Sequence, residues 1–259
     1  MNNLIDGKKV ASEIKDEITQ KISYSMSKGN RAPSIKIILV GDHGPSKIYV
    51  NAKLKACESV GIDADLISLN DNINQDKLSD IIKKLNSDQN LDGFIVQLPL
   101  PNQISVQKII ELIDPFKDID GFTNDNIGSI TSKKKKLMPA TGLGVMTLIE
   151  RYNIDIDSKK CVVLGASRNV GGAIAQMLVE REDATVIVCN SKTKNLKSLT
   201  IDADLIVSAV GIPNLVTSIL ASYRGYDTLG EVTVIFTAGI GVLMLLGRSR
   251  GNYKGIVGK

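Results

Sequence analysis

The chain has 259 residues, 43% of them apolar, enough to fill two modest cores or one large one, so a folded protein rather than a disordered one is expected. Its 32 lysines and arginines face 28 acids, a net charge of +4 without aromatic interleaving, so no nucleic-acid platform is expected. Cys57, Cys161 and Cys189 lie in apolar helix or strand contexts without paired spacing, which supports neither a disulfide framework nor a metal site and points to a reducing compartment, the cytoplasm.

The N-terminal stretch is polar and helix-prone and lacks the apolar run of a secretory signal. A first strand is read at Ser34 to Val40, SIKIILV, closed by Gly41, with Ser46 as the N-cap of the helix that follows. In that helix Tyr49 and Lys53 stand four residues apart on one face. A lysine held beside a phenol and partly out of water can give and take a proton near neutral pH. The pattern continues with a strand near Ala64 to Leu69, an amphipathic helix from Gln75 to Leu85, a strand Gly93 to Val96 and a helix Ser105 to Ile113. This βαβαβ series implies a parallel sheet with ligand chemistry at the carboxyl ends of its strands. At one such end VQLPLP, Val96 to Pro101, fixes a rigid loop, and Gln97 leaves the strand as a neutral amide able to bond a lysine and a polar substrate. The stretch Pro115 to Gly128 reads as too irregular for helix or strand, and within it Asp120 could accept two adjacent N–H donors of a planar ligand. The run Lys133 to Lys136 reads as a solvated loop.

A second unit begins at Pro139, with a helix near Val145 to Tyr152 and a strand Cys161 to Leu164. GASRNVGGAIAQML, Gly165 to Leu178, follows: a glycine leaving a buried strand and a Gly-Gly pair entering a helix suit a phosphate-cradling turn, although the spacing is not G-x-G-x-x-G. After the next strand, Thr185 to Cys189, the acid that would hold a ribose diol is absent, and NSKT stands there instead. With Ser191, Lys192 and Arg168 available, NADP is favoured over NAD. A last readable strand, Leu205 to Ala209, runs into VGIPNLV.

Taken in order, SKIYVNAKLKACESVGI, VQLPLP, KDIDGF, the G-x-S-x-x-x-G turn and DLIVSAVGIPNLV resemble the bifunctional methylenetetrahydrofolate dehydrogenase/cyclohydrolases over about Leu4 to Thr217. The resemblance implies a two-domain α/β fold, a parallel-sheet folate-binding catalytic domain over 1–138 and a Rossmann-type NADP-binding domain over 139–259. It implies Lys53 as the acid/base group, Tyr49 stacked on the folate, Gln97 tuning Lys53 and Asp120 anchoring the pterin. Gly165, Ala166 and Ser167 would hold the cofactor phosphates, and the protein would be a homodimer acting on tetrahydrofolate derivatives, without nucleic acid or membrane.

The chain also departs from the family. PATG replaces Pro-Cys-Thr-Pro at 139–142, Ala166 stands where an arginine is expected, with Arg168 available to compensate, and Thr123 and Asn190 replace histidines. From about Ser218 the glycine- and proline-rich family loop is not readable, and the tail reads as a frameshifted or otherwise altered terminus with one or two buried strands in 232–246. Two other readings fit the residues: a degenerate chain that binds ligand without turnover, and another lysine-using NADP dehydrogenase of shikimate dehydrogenase type.

Overall fold

The computed structural model describes residues 4–132 and 137–209. The stretch beyond Ser218, with the strands expected in 232–246, lies outside the described residues, as does the lysine run at 133–136. The first half opens on helix α1 (Gly7–Ser27), where Asp6 accepts from the Lys9 amide as N-cap and Val10, Ile14, Ile18 and Ile22 bury one stripe. There follow β1 (Ser34–Val40), α2 (Gly44–Val60), β2 (Asp63–Leu69), α3 (Gln75–Ser87), β3 (Gly93–Val96) and α4 (Val106–Leu112). The strands form a parallel sheet in the order β2-β1-β3.

Strand β1 is apolar nearly throughout because both its faces are covered. Ile35, Ile37 and Leu39 pack with α1 and α2, while Ile38 and Val40 point the other way into a core with Leu78, Ile82 and Ile109. The sheet continues past β3: Phe94 donates its N–H to the Lys117 carbonyl at 2.9 Å and pairs with Asp118 in a parallel bridge. Gly93 permits this approach, since a Cβ there would lie 2.6 Å from the Ile119 side chain. The Lys117 ammonium donates to the Leu85 and Asp88 carbonyls at the end of α3, which pins the same segment from its other side.

The chain then passes through α5 (Asn124–Gly128) and a 3-10 turn (Ser129–Thr131) into the second half, which comprises α6 (Ala140–Arg151), β4 (Lys160–Leu164), α7 (Gly171–Glu182), β5 (Thr185–Cys189), α8 (Leu196–Thr200) and β6 (Leu205–Ser208). Its strands are again parallel, in the order β5-β4-β6. The halves touch where Arg151 pairs with Glu17 at 2.6 Å and the Tyr152 hydroxyl accepts from the Asp6 N–H at 2.6 Å.

Both sheets put their first strand in the middle and send the next two to opposite sides. That reversal opens a crevice at the carboxyl ends of β1 and β3 in one sheet and of β4 and β6 in the other, where ligands bind in open α/β sheets. Lys53, on α2, follows the first of these ends, and the Gly165 turn follows the second.

Three local expectations are corrected. Helix α2 starts at Gly44 with His43 as N-cap, so Ser46 lies inside its first turn, buried, with Oγ 3.0 Å from His43 Nδ1. Pro45 explains this, since a residue without an N–H fits a first turn where that donor has no intrahelical acceptor. Helix α6 begins at Ala140 rather than near Val145, because Leu143 and Met146 extend its buried stripe back to Ala140. The stretch Pro115 to Gly128 is not irregular throughout: it closes in α5, capped by the Thr123 hydroxyl.

Candidate functional site

Helix α2 delivers Tyr49 half-exposed at the cleft and Lys53 one turn further on, largely buried. Lys53 Nζ lies 3.9 Å from Asp120 Oδ1, the two side chains being 10% and 16% exposed. That separation exceeds the 2.7–2.9 Å or so of a direct charge-assisted hydrogen bond, so both groups keep hydrogen-bonding capacity for a ligand that sits beside the pair. Burial pushes the Asp120 carboxyl above the usual carboxylate range, opposed by the Lys53 charge and reinforced by Asp118. Cys57, one turn beyond Lys53, is fully buried, and its thiol is pushed up to about 12 by burial against the pull of Lys53. A thiol so placed is no nucleophile near neutral pH.

Gln97 enters the cleft at the end of β3. Its amide nitrogen donates to the Leu98 carbonyl at 2.9 Å, leaving Oε1 buried without a hydrogen-bond partner. The expected bond from Lys53 is therefore not made here, and Gln97 offers the cleft an acceptor.

The residue that sequence reasoning missed is Asp118. Two percent exposed, it accepts from the N–H groups of Gly121 (3.0 Å) and Thr123 (2.7 Å) and from Asn126 Nδ2 (2.9 Å). A carboxylate is the one side chain that supplies acceptor sites alone for three donors. Asp118 thereby folds the loop that carries Asp120. Gly121 closes it: its φ is +72°, and a Cβ would lie 2.5 Å from the Met138 carbonyl carbon, so glycine lets the start of the second unit pass against the Asp120 loop. Asp118→Ala is expected to orphan the Thr123 N–H, since the Gly121 N–H keeps the residue 118 carbonyl at 3.2 Å and the Asn126 amide keeps that of Pro115 at 2.9 Å, and to lower stability by about 1–3 kcal/mol, read as the shift in urea midpoint.

In the second crevice Gly165 has φ +112°, and a Cβ on Gly171 would fall 1.8 Å from the Gly165 carbonyl oxygen. The backbone of the turn and the start of α7 therefore meet as only glycine allows, and Ala166, Ser167 and Arg168 stand exposed above them. This glycine cradle at the positive end of α7 fits a dinucleotide pyrophosphate. After β5, Asn190 accepts from the Lys192 N–H through Oδ1 at 2.9 Å, forming a turn that presents Ser191 to solvent. Arg168 reaches across and donates from Nη2 to Asn124 Oδ1 on α5.

The catalytic domain description of tetrahydrofolate dehydrogenase/cyclohydrolase matches residues 5–120, and that of its NAD(P)-binding domain matches residues 139–223. The bifunctional protein FolD of Sulfurihydrogenibium is 43% identical over 238 residues, covering 92% of this chain and 81% of the relative. Among solved structures, the bifunctional methylenetetrahydrofolate dehydrogenase/cyclohydrolase FolD of Campylobacter jejuni superposes with a TM-score of 0.87 at 35% identity, over 95% of this chain and 99% of that one. The Trypanosoma brucei dehydrogenase-cyclohydrolase, solved with NADP cofactor and an inhibitor, gives 0.84 at 27% identity, over 95% of this chain and 97% of that one.

Proposed function

The chain belongs to the tetrahydrofolate dehydrogenase/cyclohydrolase family, and from that premise we propose how its two crevices divide the work. The protein oxidises 5,10-methylenetetrahydrofolate to the 5,10-methenyl form with NADP and hydrolyses that product to 10-formyltetrahydrofolate. The shikimate dehydrogenase reading is thereby set aside.

The observation that carries the site assignment is the approach of Lys53 and Asp120 to 3.9 Å in a cleft that Tyr49 flanks. Asp120 accepts paired N–H donors of the pterin, and its own loop is held rigid by Asp118. Tyr49 offers a ring for stacking, with its hydroxyl free to face solvent. Lys53 takes a proton from the attacking water and returns one to the nitrogen that leaves the one-carbon unit. Gln97 Oε1 accepts from the substrate or from the ammonium as the cleft fills. Bound NADP supplies the hydride acceptor. Ala166 and Ser167 would offer backbone N–H groups to its phosphates, Gly165, whose own N–H donates to the Cys189 carbonyl at 2.8 Å, would hold the turn open to them, and Arg168 and Ser191 would meet its 2′-phosphate, where an acid would repel it.

The division of labour into a folate-binding unit over 1–138 and a dinucleotide-binding unit over 139–259 belongs to the same proposal, as do a homodimeric state and a cytoplasmic location. All three cysteines are free and buried, as suits a reducing compartment, and among the described residues no helix is long and apolar enough to cross a membrane.

The testing experiment follows NADPH formation from methylenetetrahydrofolate and NADP, then formyl product from the methenyl compound, with circular dichroism on the same sample. Both turnovers are expected. A folded chain that performs neither overturns the reading.

A further inference from the structure

The stretch from Asp118 to Thr131 belongs to both halves of the molecule. Its start pairs with β3 and carries Asp120, while Ile130 near its end is buried in the second core with Met146, Ile149 and Ile174. Between these anchors Asp118 grips the Thr123 N–H and the Asn126 amide, and the Thr123 hydroxyl caps α5, so Asn124 projects from a braced position. Asn124 is the residue that Arg168 contacts from the cofactor turn. Asn124 in turn donates to Glu111 Oε1 at 3.4 Å, an arrangement that orients its carbonyl oxygen toward the arginine.

We propose that Asn124, although it lies on the folate side, is a positioning residue for the dinucleotide: through Arg168 it holds the Gly165 to Arg168 turn in its binding conformation. The inference rests on the reading of that turn as the dinucleotide loop. A guanidinium carries five N–H donors in a rigid fork, and the tie to Asn124 uses one nitrogen, leaving the others for a phosphate. An arginine already held loses less side-chain freedom on binding than a free one, and that difference appears as affinity. The same tie joins the cofactor turn to the loop that carries Asp120, so the geometry of one ligand site is fixed against the other.

The test measures NADP binding by titration calorimetry for the wild-type chain, Asn124→Ala, Arg168→Ala and the double variant, with urea unfolding of each ligand-free protein alongside. Asn124→Ala is expected to weaken NADP binding about five-fold with an unaltered urea midpoint, and to add nothing once Arg168 is alanine. Unchanged or tighter binding in Asn124→Ala, or additive losses in the double variant, overturns the inference while leaving the functional reading intact. A folded wild-type chain that binds no NADP overturns both.

Discussion

Lys53→Met is expected to slow methenyltetrahydrofolate hydrolysis by about 100- to 10,000-fold, the range over which a positioned proton-transfer group contributes. Methionine keeps the length of the buried stem and removes only the ammonium. Retention of formyl product at more than a tenth of the wild-type rate would refute the assignment. The same variant has a pH signature. Without the opposing charge, the Asp120 carboxyl is pushed further above its ordinary value by burial and by Asp118. A carboxyl with a raised folded value binds its proton more tightly when folded, so its contribution to stability is full below the unfolded value of 3.8 and is lost as pH rises through the folded one. Lys53→Met should therefore lose thermal stability relative to wild type between acid and neutral pH, and Lys53→Met/Asp120→Asn should not. Parallel pH profiles for the two variants would show that the ion pair does not govern this behaviour.

Gly171→Ala is expected to damage the other crevice as severely. A methyl group 1.8 Å from the Gly165 carbonyl oxygen has only backbone to displace, so the strand end and the helix start must separate. The strain should cost about 1–3 kcal/mol of stability. It should also weaken NADP binding ten-fold or more, while methenyl hydrolysis at Lys53 persists. The neighbouring Gly172 is the control: a Cβ there meets the Ser167 carbonyl oxygen at 3.2 Å, a contact that a few tenths of an ångström relieve. Equal NADP affinities for wild type and Gly171→Ala would show that the cradle is not the phosphate site.

Much of this was legible in the chain because the signals were local. Ile37 to Val40 is apolar on both faces and bounded by Gly41, a pattern that a central parallel strand satisfies. Tyr49 and Lys53 share a helical face by spacing alone. Ser46 is a common kind of cap, but the His-Gly-Pro turn before it has equal means to open a helix, and α2 starts there. KDIDGF holds two acids two residues apart, and nothing local in it tells that the loop folds around Asp118 while Asp120 faces the cleft. What separates them is that Asp118 meets three donors arriving from residues 121, 123 and 126, a convergence fixed only by the folded loop. Nor does any spacing announce that Arg168 and Asn124, 44 residues apart, would meet.

The burial of Ile130 bears on how the protein can be divided. The change of sequence character at Pro139 marks a border in the chain, but the second core takes Ile130 from before it. A fragment beginning at residue 139 would leave an isoleucine-sized hole against Met146, Ile149 and Ile174, a loss of about 2–5 kcal/mol that a unit of this size can hardly absorb. One beginning at Thr123 would bring its own plug, together with the capped α5. The autonomous piece thus starts inside what the sequence assigns to its neighbour, and excision or grafting of the dinucleotide-binding half should follow the packing rather than the motif.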